Sequence, residues 1–247
     1  WLLLRAFQTS RLVDWFLFGI AAGTGGLAVP LTLSIIPVAI AAAGAISVKV
    51  SSSRVFLKNV LAVFAGTALC ILPVTIRNML VSGHLVPVST NGGINLYIGN
   101  NSRMCETMAV RPGLDWDRLV RKPFERGADN AAEAEQWFLR RTADYILGQP
   151  IGFIAGLLYK TRLFISGPEQ PRNLDIYTLR DRSFFLRYLV WKKGWFGFPF
   201  SLLAGCTVGA VCLMWRDNRI RIIAGCIVSY SAVVILFFPS GRYRVPV

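Results

Sequence analysis

Charged side chains are scarce in this sequence. Asp, Glu, Lys and Arg together make up 16% of 247 residues, where a soluble domain carries about a quarter. Acids are the scarcer kind, 13 against 27 Lys and Arg. Histidine occurs once, as His84, and one imidazole with no carboxylate at useful spacing is not a metal-site pattern. The five cysteines are an odd number: Cys70, Cys206, Cys212 and Cys226 fall within apolar runs, where Cys behaves as a small hydrophobe. Only Cys105 lies outside them, which excludes a disulfide framework and metal-type cysteine spacing. No basic segment followed by a short apolar stretch and a cleavage site opens the chain, so no signal peptide is expected. The first residue is Trp1 rather than Met, and the sequence is expected to belong to a longer chain at both ends.

What the sequence has instead is long apolar runs. Hydrophobic residues make up 54% of it, and mean hydropathy is +0.50. Segments 59–76, 195–215 and 222–241 contain no Asp, Glu, Lys, Arg or His; as helices each covers roughly 27–31 Å, the thickness of a bilayer core. Trp15 to Val48 is a further uncharged stretch. These runs exclude a soluble domain. They predict a mainly α fold: a polytopic transmembrane helical bundle with an extracytoplasmic helical and loop insertion.

A net charge of +14 raises nucleic acid as a partner, but the cations are placed otherwise. Lys49, Arg54 and Lys58 lie between two apolar runs, and Arg216, Arg219 and Arg221 fill the short gap between two others. Short basic loops mark cytoplasmic turns, and neither a basic helix nor a zinc spacing speaks for nucleic acid. With both loops in the cytoplasm, 59–76 runs outward, 195–215 returns and 222–238 runs out again. Three regions follow: transmembrane helices over 1–82, an extracytoplasmic segment over 83–194, and two further transmembrane helices with a basic tail over 195–247. Arg5, Arg11 and Asp14 read as an earlier cytoplasmic loop.

The stretch 15–48 is too short for two full spans, which need about 40 residues and a turn. Gly23, Gly25, Gly26, Pro30 and Pro37 interrupt it. It reads as a hairpin of two short tilted helices or as a re-entrant pair shielded by other helices. In the extracytoplasmic segment, Ala134, Phe138, Thr142 and Tyr145 keep helical spacing within Ala131–Leu147, and Gly148 with Pro150 is a stop signal. Ile151 to Ile165 is apolar but carries Lys160 and Arg162, as an interfacial helix does. Arg180 to Lys193 mixes Phe184, Phe185, Tyr188 and Trp191 with basic residues, a belt suited to lipid headgroups.

Leu72 to Asn101 reads LPVTIRNMLVSGHLVPVSTNGGINLYIGNN. This block resembles the segment after a middle transmembrane helix in bacterial membrane glycosyltransferases of the GT-C fold, relatives of dolichyl-phosphate-mannose–protein mannosyltransferases and of the enzymes that place aminoarabinose on lipid A. Gly19 to Pro30 with Leu31-Thr32 resembles a family turn written LTRPT, with Leu27-Ala28-Val29-Pro30 here and no Arg. Lys160 to Glu169, then Asn173, Asp175 and Tyr177, resembles a pattern of Lys, aromatic, Glu, Asn and Tyr. Phe237-Phe238 followed by Arg242-Tyr243-Arg244-Val245-Pro246 resembles an RYRxP motif after a late span.

The resemblance implies transfer of a sugar from a polyprenyl-phosphate carrier to a protein, lipid or glycan acceptor, at the extracytoplasmic face of a bacterial inner membrane. It places the catalytic Asp in a first outer loop upstream of this sequence, so no catalytic residue is expected within it. Arg77, Lys160, Arg242 and Arg244 are the expected contacts to the donor phosphate, because Arg matches phosphate bidentately. An Arg flanking a span also serves as a snorkelling anchor, and Lys160 with Glu169 also reads as an ordinary ion pair. Asn91, Gly92 and Gly93 form either a turn or a backbone nest for phosphate or sugar. Asn95, Tyr97, Asn100, Glu169 and Tyr243 complete the expected sugar and acceptor contacts. Some relatives place a divalent metal near this loop, the one cofactor the resemblance leaves open. The competing class is a non-enzymatic polytopic protein, either a lipid-linked glycan transporter or an accessory subunit.

Overall fold

The computed structural model describes residues 1–168 and 176–240. It is mainly helical, with thirteen α-helices and one two-stranded hairpin among the described residues. Glu169, Asn173, Asp175, Arg242, Tyr243 and Arg244 lie outside them. The chain divides into two compact units: Trp1–Ser89 with Met214–Val233, and Thr90–Leu213 with the chain from Val234 on.

In the first unit, α1 (Leu2–Thr9) and α2 (Leu12–Ala28) meet at a two-residue turn where Ser10 is left-handed. Asp14 was expected in a solvated loop; it lies in the first turn of α2 and is buried. Arg5 Nε is 3.0 Å from its carboxylate, and Thr9 Oγ1 donates to it at 2.6 Å. A 3-10 turn (Pro30–Ile35) leads into α3 (Ile36–Val50), and α4 (Ser53–Ser82) follows. α2 lies along α4 because both surfaces are glycine: a Cβ on Gly19 would strike Val63 O, and one on Gly66 would strike Phe16 O. Thr67 Oγ1 donates across this seam to Gly19 O at 3.1 Å. Trp15, Phe18, Ala39, Ala43 and Val63 fill the core beside it.

Pro30–Val50, Ser53–Ser82 and Asn218–Phe237 are long and apolar enough to cross a membrane. Two expectations change. The broken stretch breaks at Val29–Pro30 as the sequence indicates, but its helices begin at Leu12 and end at Val50. Of its two parts, Pro30–Val50 reaches span length and Leu12–Ala28, at 17 residues, remains a shorter apolar helix. The run 195–215 is not one long helix. Trp191–Lys193 (β1) and Phe196–Phe198 (β2) pair antiparallel around left-handed Gly194, leaving a helix of 14 residues, Phe200–Leu213. At about 21 Å it falls short of a hydrocarbon core of about 30 Å.

In the second unit the helices are α5 (Gly92–Gly99), α6 (Met104–Ala109), α7 (Leu114–Arg121), α8 (Ala131–Gly148), α9 (Pro150–Ile165), α10 (Ile176–Arg180), α11 (Phe184–Leu189) and α12 (Phe200–Leu213), then the end of α13 (Asn218–Phe237). Asn130 caps α8: its side chain accepts from Glu133 N at 3.0 Å while its Nδ2 donates to the Glu133 carboxylate. Pro150, at the first turn of α9, needs no N–H partner there. The core is Ile94, Ile98, Leu119, Phe138 and Phe238.

Candidate functional site

The block that carries the resemblance divides between the units at Ser89 and Thr90. Its first half follows α4 past the apolar run, so Arg77 is helical rather than in a loop. Arg77 is exposed about one and a half turns from the helix end, and Nη1 donates to Asn78 Oδ1 at 3.2 Å. Left-handed Gly83 ends the helix. The chain then folds back on α4, where Thr75 Oγ1 donates to Pro87 O at 2.8 Å and Asn78 Nδ2 to Val86 O and Val88 O.

The second half forms α5 with a charge at each end. At its start, the Glu135 carboxylate from α8 stands beside Gly92, Oε1 lying 3.1 Å from where a Cβ on that residue would be. Asn91 to Gly93 thus enter α5 as an ordinary helix start, with one of the chain's own carboxylates at its positive end. Gly93 is required there, since a Cβ would strike Glu135 O. Burial pushes the Glu135 carboxyl up, while the Gly93 and Gly92 N–H groups hold it down.

At the other end, Lys160 reaches from α9 and has no exposed surface. Its Nζ donates to Gly99 O at 2.9 Å, Asn100 Oδ1 at 2.8 Å, Leu236 O at 3.0 Å and Phe237 O at 3.3 Å. These oxygens include the last carbonyls of α5 and α13, the negative ends of both helices. Burial lowers the ammonium to about 8, so it stays mostly charged at neutral pH. With three protons facing four acceptors, a phosphate reaching Nζ would have to displace protein oxygens.

Other expected contacts have structural occupations too. Asn100 is buried, and its Nδ2 donates to Leu96 O and Leu236 O at 2.8 Å each. Tyr97 packs its ring 5.3 Å from Phe138 and 6.2 Å from Trp137. Asn95 is half-buried on α5. Among the described residues no three His, Cys, Asp or Glu side chains form a metal-binding group, so these residues do not fit a bound divalent ion.

The structure also brings together residues that sequence reading did not single out. α6 and α9 border a groove of about 360 Å3, lined by Arg103, Glu106, Tyr145, Gly152, Gly156 and Tyr159 among others. Its signal lay in the Gly148-Gln149-Pro150 break, since a helical hairpin there brings Tyr145 back beside Gly152. Glu135 had no such signal, being far in sequence from the Gly-Gly pair it serves. No family model, curated protein or solved structure matches the chain.

Proposed function

We propose that the chain is part of an integral-membrane glycosyltransferase that moves a sugar from a polyprenyl-phosphate donor to an acceptor on the extracytoplasmic side of a bacterial inner membrane. The observation that carries this reading is Arg77: an exposed guanidinium near the end of a helix of 30 residues, just beyond its apolar run, where the proposal sets the carrier phosphate. The Leu72–Asn101 resemblance supplies the reaction.

In that reaction the bond from the anomeric carbon to the carrier phosphate breaks as the acceptor oxygen attacks from the opposite face. The acceptor proton passes to a carboxylate base, proposed to be an upstream Asp. The electron pair leaves with the polyprenyl phosphate, and fixed cations stabilise the growing negative charge. Arg77 takes that role, joined by Arg242 and Arg244 in the proposal. A transporter reading places ionisable groups at mid-span; in α13 the only charges, Arg219 and Arg221, sit in the first turn.

Donor kinetics of the full-length protein test the assignment. Losing one charge-assisted contact removes about 1.5–3 kcal/mol, so Arg77→Ala should cut kcat/KM for a polyprenyl-phosphate sugar by roughly 10- to 150-fold. Arg77→Lys should recover part of it, because the charge remains and the planar fork does not. Full activity in Arg77→Ala would remove Arg77 from the site.

A further inference from the structure

The groove beside α9 is built from three parts. Its floor is Gly152 and Gly156, whose missing side chains let neighbouring groups approach the helix closely. Tyr145 Oη lies 3.2 Å from where a Cβ on Gly152 would stand, and Met104 Sδ lies 3.4 Å from the same point on Gly156. Two phenols, Tyr145 and Tyr159, supply aromatic faces and hydroxyls. On the α6 side stands an exposed ion pair between Arg103 and Glu106, three residues apart on one turn. The Arg103 hydrogen bond holds the Glu106 carboxyl below its ordinary range, so it is an acceptor at neutral pH.

We propose that this groove binds a neutral saccharide of one or two rings, the sugar portion of the acceptor, an assignment that rests on the glycosyltransferase reading. Four features of the groove select that class. The C–H face of a pyranose carries partial positive charge and settles on the negative face of a phenol ring. Sugar hydroxyls match the exposed Glu106 carboxylate, which accepts, and the phenol hydroxyls, which donate and accept. The rim pair is net neutral, with the guanidinium already engaged by Glu106, which disfavours a free phosphate. An acyl chain would desolvate the ion pair and both hydroxyls without replacing their hydrogen bonds. The volume of about 360 Å3 is at the small end of ligand pockets, roughly 300–1,000 Å3, which limits the occupant to a short glycan.

Saturation-transfer NMR on the detergent-solubilised chain, with methyl glycosides of mannose, glucose, galactose and N-acetylglucosamine as probes, tests the groove without any transfer reaction. At least one probe should bind saturably in the millimolar range. Tyr159→Ala should weaken it 10-fold or more, and Glu106→Gln several-fold. Gly156→Leu should abolish binding by filling the floor, while Tyr188→Ala, on α11 outside the groove, should leave it unchanged. Tyr159→Phe, which keeps the ring and the packing, should retain stacking and lose only the hydroxyl contribution, a few-fold. Absence of saturable binding by every probe, or unchanged binding in Tyr159→Ala and Gly156→Leu, would overturn the proposal even if sugar transfer by the full-length protein were demonstrated. Glycoside binding with no sugar transfer by the full-length protein would leave the groove standing as a sugar site and remove the enzymatic reading.

Discussion

Lys160 holds three protons between four oxygens from two helix ends, α5 with its cap Asn100 and α13. Removing its charge takes this donor from Gly99 O and Phe237 O and leaves Leu236 O with Asn100 Nδ2 alone, and a buried acceptor without a partner costs about 1–3 kcal/mol. Lys160→Met, similar in length and uncharged, should therefore destabilise the chain by roughly 2–4 kcal/mol in denaturant unfolding in detergent. Stability should also depend on pH in a particular direction. Below about 8 both folded and unfolded chains carry the proton; between about 8 and 10.5 only the unfolded chain does. The unfolded state then binds more protons, so folded stability rises with pH across that window, by at most about 1.4 kcal/mol per pH unit. Wild type should gain on Lys160→Met from pH 8 to 10.5. Parallel profiles would show that the ammonium is not desolvated in the folded chain.

At the scale of elements, α8 and α9 were legible because apolar spacing and the Gly148–Pro150 break are local signals. Asn130 with Glu133 adds a capping box to them, so Asn130→Ala should cost about 1 kcal/mol, read from the same unfolding curves. α12 was misjudged for a physical reason: hydropathy counts Trp195, Phe196 and Phe198 as span, yet flanking Gly194 and Pro199 they make a hairpin strand and a helix start. The glycine block reads in the sequence as either a turn or a nest, and the carboxylate beside it was not legible, because Glu135 comes from a helix distant in sequence. The sequence reads Lys160 as a donor-phosphate contact or an ion-pair partner, whereas the structure buries it against four protein oxygens. Its partners were hidden, since backbone carbonyls at two helix ends leave no mark in a sequence. Gly93→Val should push α5 off α8, because the added side chain meets Glu135 O, and its loss of stability should exceed that of Asn130→Ala.

For the whole molecule, orientation rests on the basic residues of the first unit. Lys49, Arg54 and Lys58 belong to it, at the junction of the spans Pro30–Val50 and Ser53–Ser82, and the proposal places them in the cytoplasm. Cys105 is exposed in the second unit. An impermeant thiol reagent should modify position 105 in intact cells, and a single cysteine introduced at Ser52 only after permeabilisation. Labelling of position 52 from outside would reverse the orientation and with it the side on which the proposed chemistry occurs. The central claim is that a glycosidic phosphate bond is broken at the outer surface rather than a lipid-linked sugar carried across intact. The most direct measurement follows a polyprenyl-phosphate sugar, labelled in both sugar and lipid, in proteoliposomes of the full-length protein with acceptor present. The account predicts that label appears as free polyprenyl phosphate and, in equal amount, as acceptor-linked sugar of inverted anomeric configuration. Intact labelled donor moving between leaflets, with no polyprenyl phosphate released, would contradict it.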